Sequence, residues 1–340
     1  MRKPLLSITI LISLTFLLKI SCNYTPKPEV HYLVQETAVK YFGADSLPFF
    51  SRPQKIKITN DKIFVLDQKH HRILIFDHNF NHIKQIGRKG RGPGEFILPA
   101  SFQVFKDLVY VADAANYRFD IISTDGKYIR SFRPQYPIFQ DLTFCIDSRG
   151  YLFINHPMSE NLITVYNELG EIVNGIGKLV DEKDPRFKIT INYAHIEIDE
   201  YDNIYVSFLM LPILRKYDKT GKLLWEKDLT NYTEIREMSD FFINKRETKP
   251  DQKYNVFSLS KDVYYKSPYL YILFQGVIPY GNTVYAFNEN GKVNKIMRIS
   301  KGNIPIDSIS NYGKLAVDNK GHIYLSDKTD YQVVRFKLEN

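Results

Sequence analysis

The chain has 340 residues, 44% apolar and 25% charged, enough for a large globular core and too polar for a protein that crosses a membrane many times. Forty-six basic residues against 38 acidic give a net charge of +8, or +5 once Arg2, Lys3 and Lys19 of the N-terminal segment are set aside. Charges spread this evenly suit a solvated surface, and without a dense Arg/Lys–aromatic stripe they argue against a nucleic-acid partner. The two cysteines, Cys22 and Cys145, exclude a disulfide framework and a cysteine-rich zinc site.

Arg2 and Lys3 precede an apolar run over 5–18, 14 residues long, whereas a bilayer span needs roughly 20. A basic start, a short apolar stretch and a small residue before a break predict an export signal over 1–21. The break, "LKISC", resembles the lipobox of bacterial lipoproteins, although Lys19 stands where that motif usually carries leucine. The resemblance implies cleavage before Cys22, acylation of its thiol and a membrane-anchored protein in the cell envelope. An uncleaved anchor and simple secretion are the alternatives, and all three place the body outside the cytoplasm. Residues 22–29, "CNYTPKPE", read as a short tether.

From residue 30 onward strand-like runs follow one another, with turn signals between them and almost no helical periodicity. After "VHYLVQE" (30–36), the same four-strand pattern recurs over 55–87, 101–132, 141–177, 194–229 and, more loosely, 256–299. A last unit, 312–340, holds only three strands. The turns "STDGK", "SRGY", "NELGE", "DKTGK", "NENGK" and "DNKGH" each place glycine where a tight hairpin needs positive φ. One antiparallel meander cannot bury both faces, but several stacked around an axis can. The expected fold is all-β: one six-bladed propeller over 30–340, with 30–36 supplying the strand that the last blade lacks and leaving no open edge. Cys145, within "LTFCID", is expected to be a small core hydrophobe.

The glycine-rich stretch "IGRKGRGPGEFILPA" (86–100) lies between the first and second units. A phosphate loop needs a helix after it and a closing Lys-Ser/Thr, and a dinucleotide fingerprint needs a glycine where Glu95 stands. A strand follows instead, so the stretch is a connector. Residues 86–125 resemble an NHL repeat: Gly94, Phe96, Pro99, Val111, Asp113, Asn116 and Arg118 fall on its pattern. Asp67 and Arg72 repeat the spacing of Asp113 and Arg118, whereas Asp327 is followed by Gln332 instead of arginine. With "LKISC", the chain is similar to six-bladed propeller lipoproteins of bacteria. Asp67, Asp113 and Asp327 each end a strand and are expected to be structural, accepting loop N–H groups as Asx-type turns, with the following Arg forking onto a carboxylate or carbonyl.

The loops offer His70, His71, Arg72, Tyr117, Arg118, His156, Tyr193 and His195 as candidate ligand-binding residues, suited to stacking and anion contacts. Convergence of His70 or His71 with His156 and His195 would form a divalent-metal site, although no spacing demands it, and no cofactor or metal is assigned. Two connections, 178–193 and 230–255, are long enough to be lids or plugs. The second has Ile235, Met238, Phe241 and Phe242 at helical spacing behind Thr233. The function expected is recognition of a glycan, peptide or partner protein through one propeller face or the channel. The alternative is a metal-dependent lyase or lactonase in the channel, by analogy of fold with amidating lyases and gluconolactonases.

Overall fold

The computed structural model describes residues 28–39, 50–59, 61–140, 142–184, 187–248, 258–275, 282–299 and 312–339. The expected signal, the lipidation site at Cys22 and most of the tether lie outside the described residues. Apart from β1 (Glu29–Val39), the strands come in successive blades. Blade one is β2 (Pro53–Ile58), β3 (Ile63–Asp67), β4 (Arg72–Phe76) and β5 (His82–Ile86), and blade two is β6 (Pro99–Phe105), β7 (Leu108–Asp113), β8 (Arg118–Ser123) and β9 (Tyr128–Phe132). Blade three is β10 (Phe144–Ile146), β11 (Leu152–Asn155), β12 (Ile163–Tyr166) and β13 (Ile172–Ile176), and blade four is β14 (Ala194–Ile198), β15 (Ile204–Phe208), β16 (Ile213–Tyr217) and β17 (Leu223–Asp228). Blade five is β18 (Ser260–Lys266), β19 (Tyr269–Phe274), β20 (Thr283–Phe287) and β21 (Val293–Ile299). Blade six takes β22 (Tyr312–Val317), β23 (Ile323–Asp327) and β24 (Gln332–Leu338). Each blade is an antiparallel meander, as its turns imply. Asp218, for example, accepts the amides of Thr220 and Lys222 at 2.9 and 3.0 Å across the hairpin that Gly221 completes at φ +91°.

The N-terminal strand closes the ring, and does more than the sequence implied. β1 lies between β21 and β24 in one eight-stranded sheet. It runs antiparallel to β24 over Leu33–Val39 and parallel to β21 over Glu29–Leu33, so one strand hydrogen-bonds to two blades. The strand thus also covers the outer edge of blade five, and Leu33 is buried at the crossover.

Hydrophobic clusters fill the seams between neighbouring blades around the ring. Cys145 sits in the seam of blades three and four as a buried free thiol. The connection after blade four forms α1 (Thr233–Thr248). Its first turns act as a plug: Ile235 and Met238 are buried with Leu229, Phe274, Tyr285 and Phe287 of blades four and five, whereas Phe241 is half exposed. Among the described residues no helix is long and apolar enough to cross a membrane.

Candidate ligand-binding surfaces

In a meander, alternate connections lie at the same end of the blade. The turns joining second to third strands, and the links from one blade to the next, therefore share one end of the ring. This loop face carries nearly all the residues singled out from the sequence.

Its framework is the Asp–Arg motif. Asp67 Oδ1 accepts the amides of Ser51 and Arg52 at 3.0 and 3.2 Å, while Oδ2 meets His70 Nδ1 at 2.6 Å and an Arg72 nitrogen at 3.5 Å. Asp113 accepts the Ile97 amide at 2.8 Å and the Asn116 side chain at 2.6 Å. Beyond the turn that follows each of them, both carboxylates capture the segment entering their own blade, some 16 residues upstream. Asp327 accepts the amides of Thr329 and Asp330 in the loop that follows it, at 2.8 and 3.2 Å. In all three blades a short turn follows, and His71, Tyr117 and Tyr331 take left-handed φ of 57°, 54° and 50°. No glycine marks these positions, so local sequence does not reveal them.

The basic candidates are committed to the same framework. Arg118 donates to the carbonyls of Arg91, Gly92 and Glu95 at 2.8 to 3.0 Å and, through Nε, to Asp120 at 2.9 Å. It thereby holds the glycine-rich connector, which Asn116 also grips at the Gly90 carbonyl, 3.0 Å away. A Cβ on Gly87, at φ +82°, would lie 2.2 Å from the Phe96 ring buried beneath that connector. Arg72 bonds Gln85 at 3.2 Å. His71 Nδ1 accepts the Leu98 amide at 2.9 Å, which leaves its proton on Nε2; burial, then Lys89 and His70, hold its pKa below the ordinary value. Tyr193 stands edge-on to Phe139 at 5.7 Å.

The histidines do not converge. His70 turns to Asp67, His156 lies between Tyr136 and Tyr166, and His195 Nε2 donates to the Ser260 carbonyl at 3.2 Å from an innermost strand. Among the described residues no three His, Cys, Asp or Glu side chains are grouped to hold a metal. His156 is 0% exposed and neither ring nitrogen has a hydrogen-bond partner among the described residues; burial holds its pKa down to about 4. Above it opens a cleft of about 190 Å³ between blades two and three, lined by Tyr117, Pro134, Gln135, Tyr136, Pro137 and Ile138. Tyr117 is 64% exposed there, and the Tyr136 ring lies 5.3 Å from that of His156.

The channel wall was not anticipated from the sequence. On the innermost strands polar residues alternate with core residues: Lys55 and Lys57 flank Ile56, and His195 and Glu197 flank Ile196. Lys55 lies 3.1 Å from Asp262 and 3.9 Å from Glu197, and Lys57 lies 2.6 Å from Glu197. Asp262 also accepts the Leu315 amide at 3.0 Å. Burial opposes its ionisation, but the Lys55 and Lys314 ammonium groups outweigh that and hold its carboxyl down to about 2. Blades one, four, five and six are thus cross-linked by charge around the axis. The available signal was the alternation in "QKIKI" and "HIEI", which marks a polar face without saying what it meets.

Fold and site together define a six-bladed β-propeller with a closed ring and an aromatic loop face. The chain belongs to the DUF5128 family, described as a 6-bladed beta-propeller, whose sequence profile matches residues 44–267. Among curated proteins none matches the chain. Solved structures share its fold at low identity. A Bacteroides fragilis protein assigned as exported is 14% identical at TM-score 0.60, covering 92% of this chain and 99% of that one. A streptogramin B lyase is 12% identical at TM-score 0.54, covering 91% and 98%. A catalytically inactive virginiamycin B lyase from Staphylococcus aureus, solved with quinupristin, is 11% identical at TM-score 0.55, covering 89% and 99%.

Proposed function

We propose that this protein is an extracytoplasmic binding propeller of the lipoprotein type, built on NHL-like repeats. It is anchored through acylated Cys22 after loss of 1–21, and it takes a peptide or protein partner on its loop face. One observation carries the reading. His70, His71, Arg72 and Arg118 on that face are engaged in holding loops, while among the described residues a tyrosine- and proline-lined cleft lies open beside Tyr117. Such a surface suits an apolar or aromatic anchor side chain better than it suits acid–base chemistry. Peptide-display selection on the purified chain tests it. Selected peptides should carry an aromatic or branched aliphatic anchor, and Tyr117→Ala or Tyr136→Ala should abolish their binding without lowering the melting temperature. Peptides that bind both variants equally well would overturn the loop-face assignment. Loss of membrane association in Cys22→Ser tests the anchor.

A second reading, a metal-dependent lyase or lactonase in the channel, draws support from the fold shared with the streptogramin and virginiamycin B lyases. Elemental analysis before and after chelation, with melting followed in parallel, separates the two. A stoichiometric metal whose removal lowers the melting temperature favours the enzyme.

A further inference from the structure

At the end of the ring opposite the loop face, the seams between blades are bridged by short contacts. Lys84 meets Asp125 at 2.9 Å between blades one and two, and Ser148 meets Asp202 at 2.7 Å between blades three and four. Between blades four and five the seam opens into a cleft of about 470 Å³. That volume falls in the range of roughly 300–1,000 Å³ typical of small-molecule sites. We infer that this cleft is a binding site for an uncharged oligosaccharide.

Its walls are aromatic and already braced. The Tyr205 and Tyr265 rings stack at 5.8 Å and 17°. The Lys216 ammonium lies 4.7 Å over Tyr205 and 3.2 Å from Asp199. Glu200 accepts the Tyr265 hydroxyl at 2.5 Å and the Ser267 hydroxyl at 2.8 Å. Trp225 stands edge-on to Tyr205 at 6.1 Å and donates to the Glu289 carbonyl at 3.1 Å, tying the outer end of blade four to the hairpin of blade five. Burial and the neighbouring carboxylates keep the Tyr205 and Tyr265 phenols protonated. A ligand therefore meets a formed site rather than one it must assemble.

The rim supplies recognition. Tyr201 is 73% exposed and offers its ring face. The Asn290 side-chain amide and the Glu289 carboxylate have no protein partner among the described residues, and both line the cleft. An amide donates and accepts, a carboxylate accepts, and an exposed ring packs against C–H groups. A sugar ring presents the complement, with hydroxyls that both donate and accept at its edge and an apolar C–H face. The charges narrow the class. Lys216 is neutralised by Asp199, and Glu200 and Glu289 leave the cleft negative, so carboxylated or sulfated glycans are disfavoured.

The site does not depend on the loop-face reading, and the two can be tested apart. The chain's one tryptophan, Trp225, is a reporter packed directly behind the wall, edge-on to Tyr205. The purified chain is titrated with fragments of glucan, mannan and chitin, and with uronate oligosaccharides as charged counterparts, following Trp225 emission and heat. At least one neutral fragment should bind and shift the emission, with Tyr201→Ala and Asn290→Ala each weakening it ten-fold or more and leaving melting unchanged. Tyr117→Ala, on the other face, should bind as the parent does. Binding by uronates alone, binding that survives Tyr201→Ala and Asn290→Ala, or no response to any fragment would overturn the inference.

Discussion

Replacing His156 with phenylalanine separates burial from titration at the base of the loop-face cleft. The imidazole is buried and unpaired, with a pKa of about 4 against an ordinary 6.5. The fold holds the neutral ring, so below 6.5 the unfolded chain binds the proton first, and stability falls as pH drops until the folded-state value near 4 is reached. At about 1.4 kcal/mol per tenfold in proton affinity, the loss relative to pH 8 is about 2 kcal/mol at pH 5 and about 3 kcal/mol below pH 4. Phenylalanine keeps the contacts with Tyr136 and Tyr166 and cannot titrate. Urea unfolding of both proteins at pH 8, 6.5 and 5 is the assay. The parent should lose about 2 kcal/mol relative to His156→Phe on going to pH 5, and the variant should equal or exceed the parent at pH 8, since two unpaired buried nitrogens are removed. Parallel curves would refute the assignment of a buried neutral imidazole.

Four other outcomes follow from the same structure. Lys55→Met removes the cation 3.1 Å from buried Asp262 and one of the two lysines beside Glu197, and should cost about 3–5 kcal/mol in denaturant unfolding, partly restored by adding Asp262→Asn. Arg118→Ala frees three carbonyls and strands Asp120, whose carboxyl burial already raises to about 6; a loss of about 2–4 kcal/mol and new proteolytic cuts within 88–95 are expected. Met238→Ala should cost about 2–4 kcal/mol, whereas Phe241→Ala should stay within about 0.5, in keeping with a plug whose inner face alone is packed. Removal of residues 28–36 exposes the edges of both β21 and β24, and light scattering should detect aggregation below the parent's melting temperature.

The blade count and the existence of a closing N-terminal strand were legible in the sequence. Each is written in local signals: Gly-containing hairpins such as Lys219–Lys222, period-two alternation, and the missing fourth strand of the last unit. The positions of Asp67, Asp113 and Asp327 at strand ends were visible as well, because each closes a β-rich run before a polar loop. What tertiary structure alone decided lies across long sequence separations. Lys55 and Asp262 are 207 residues apart, and only the closed ring makes them a pair. Asp67 and Asp113 reach backward to an incoming segment because successive blades overlap in space. The histidines that sequence order allowed to cluster are kept apart by the strands that carry them: His195 on an inner wall, His156 in a seam, His70 on a loop. The blade four–five cleft needs three hairpins from two blades to meet, and a single hairpin shows nothing of it. Local propensity and alternation set which face of a strand is polar; the curvature of the ring decides what that face meets.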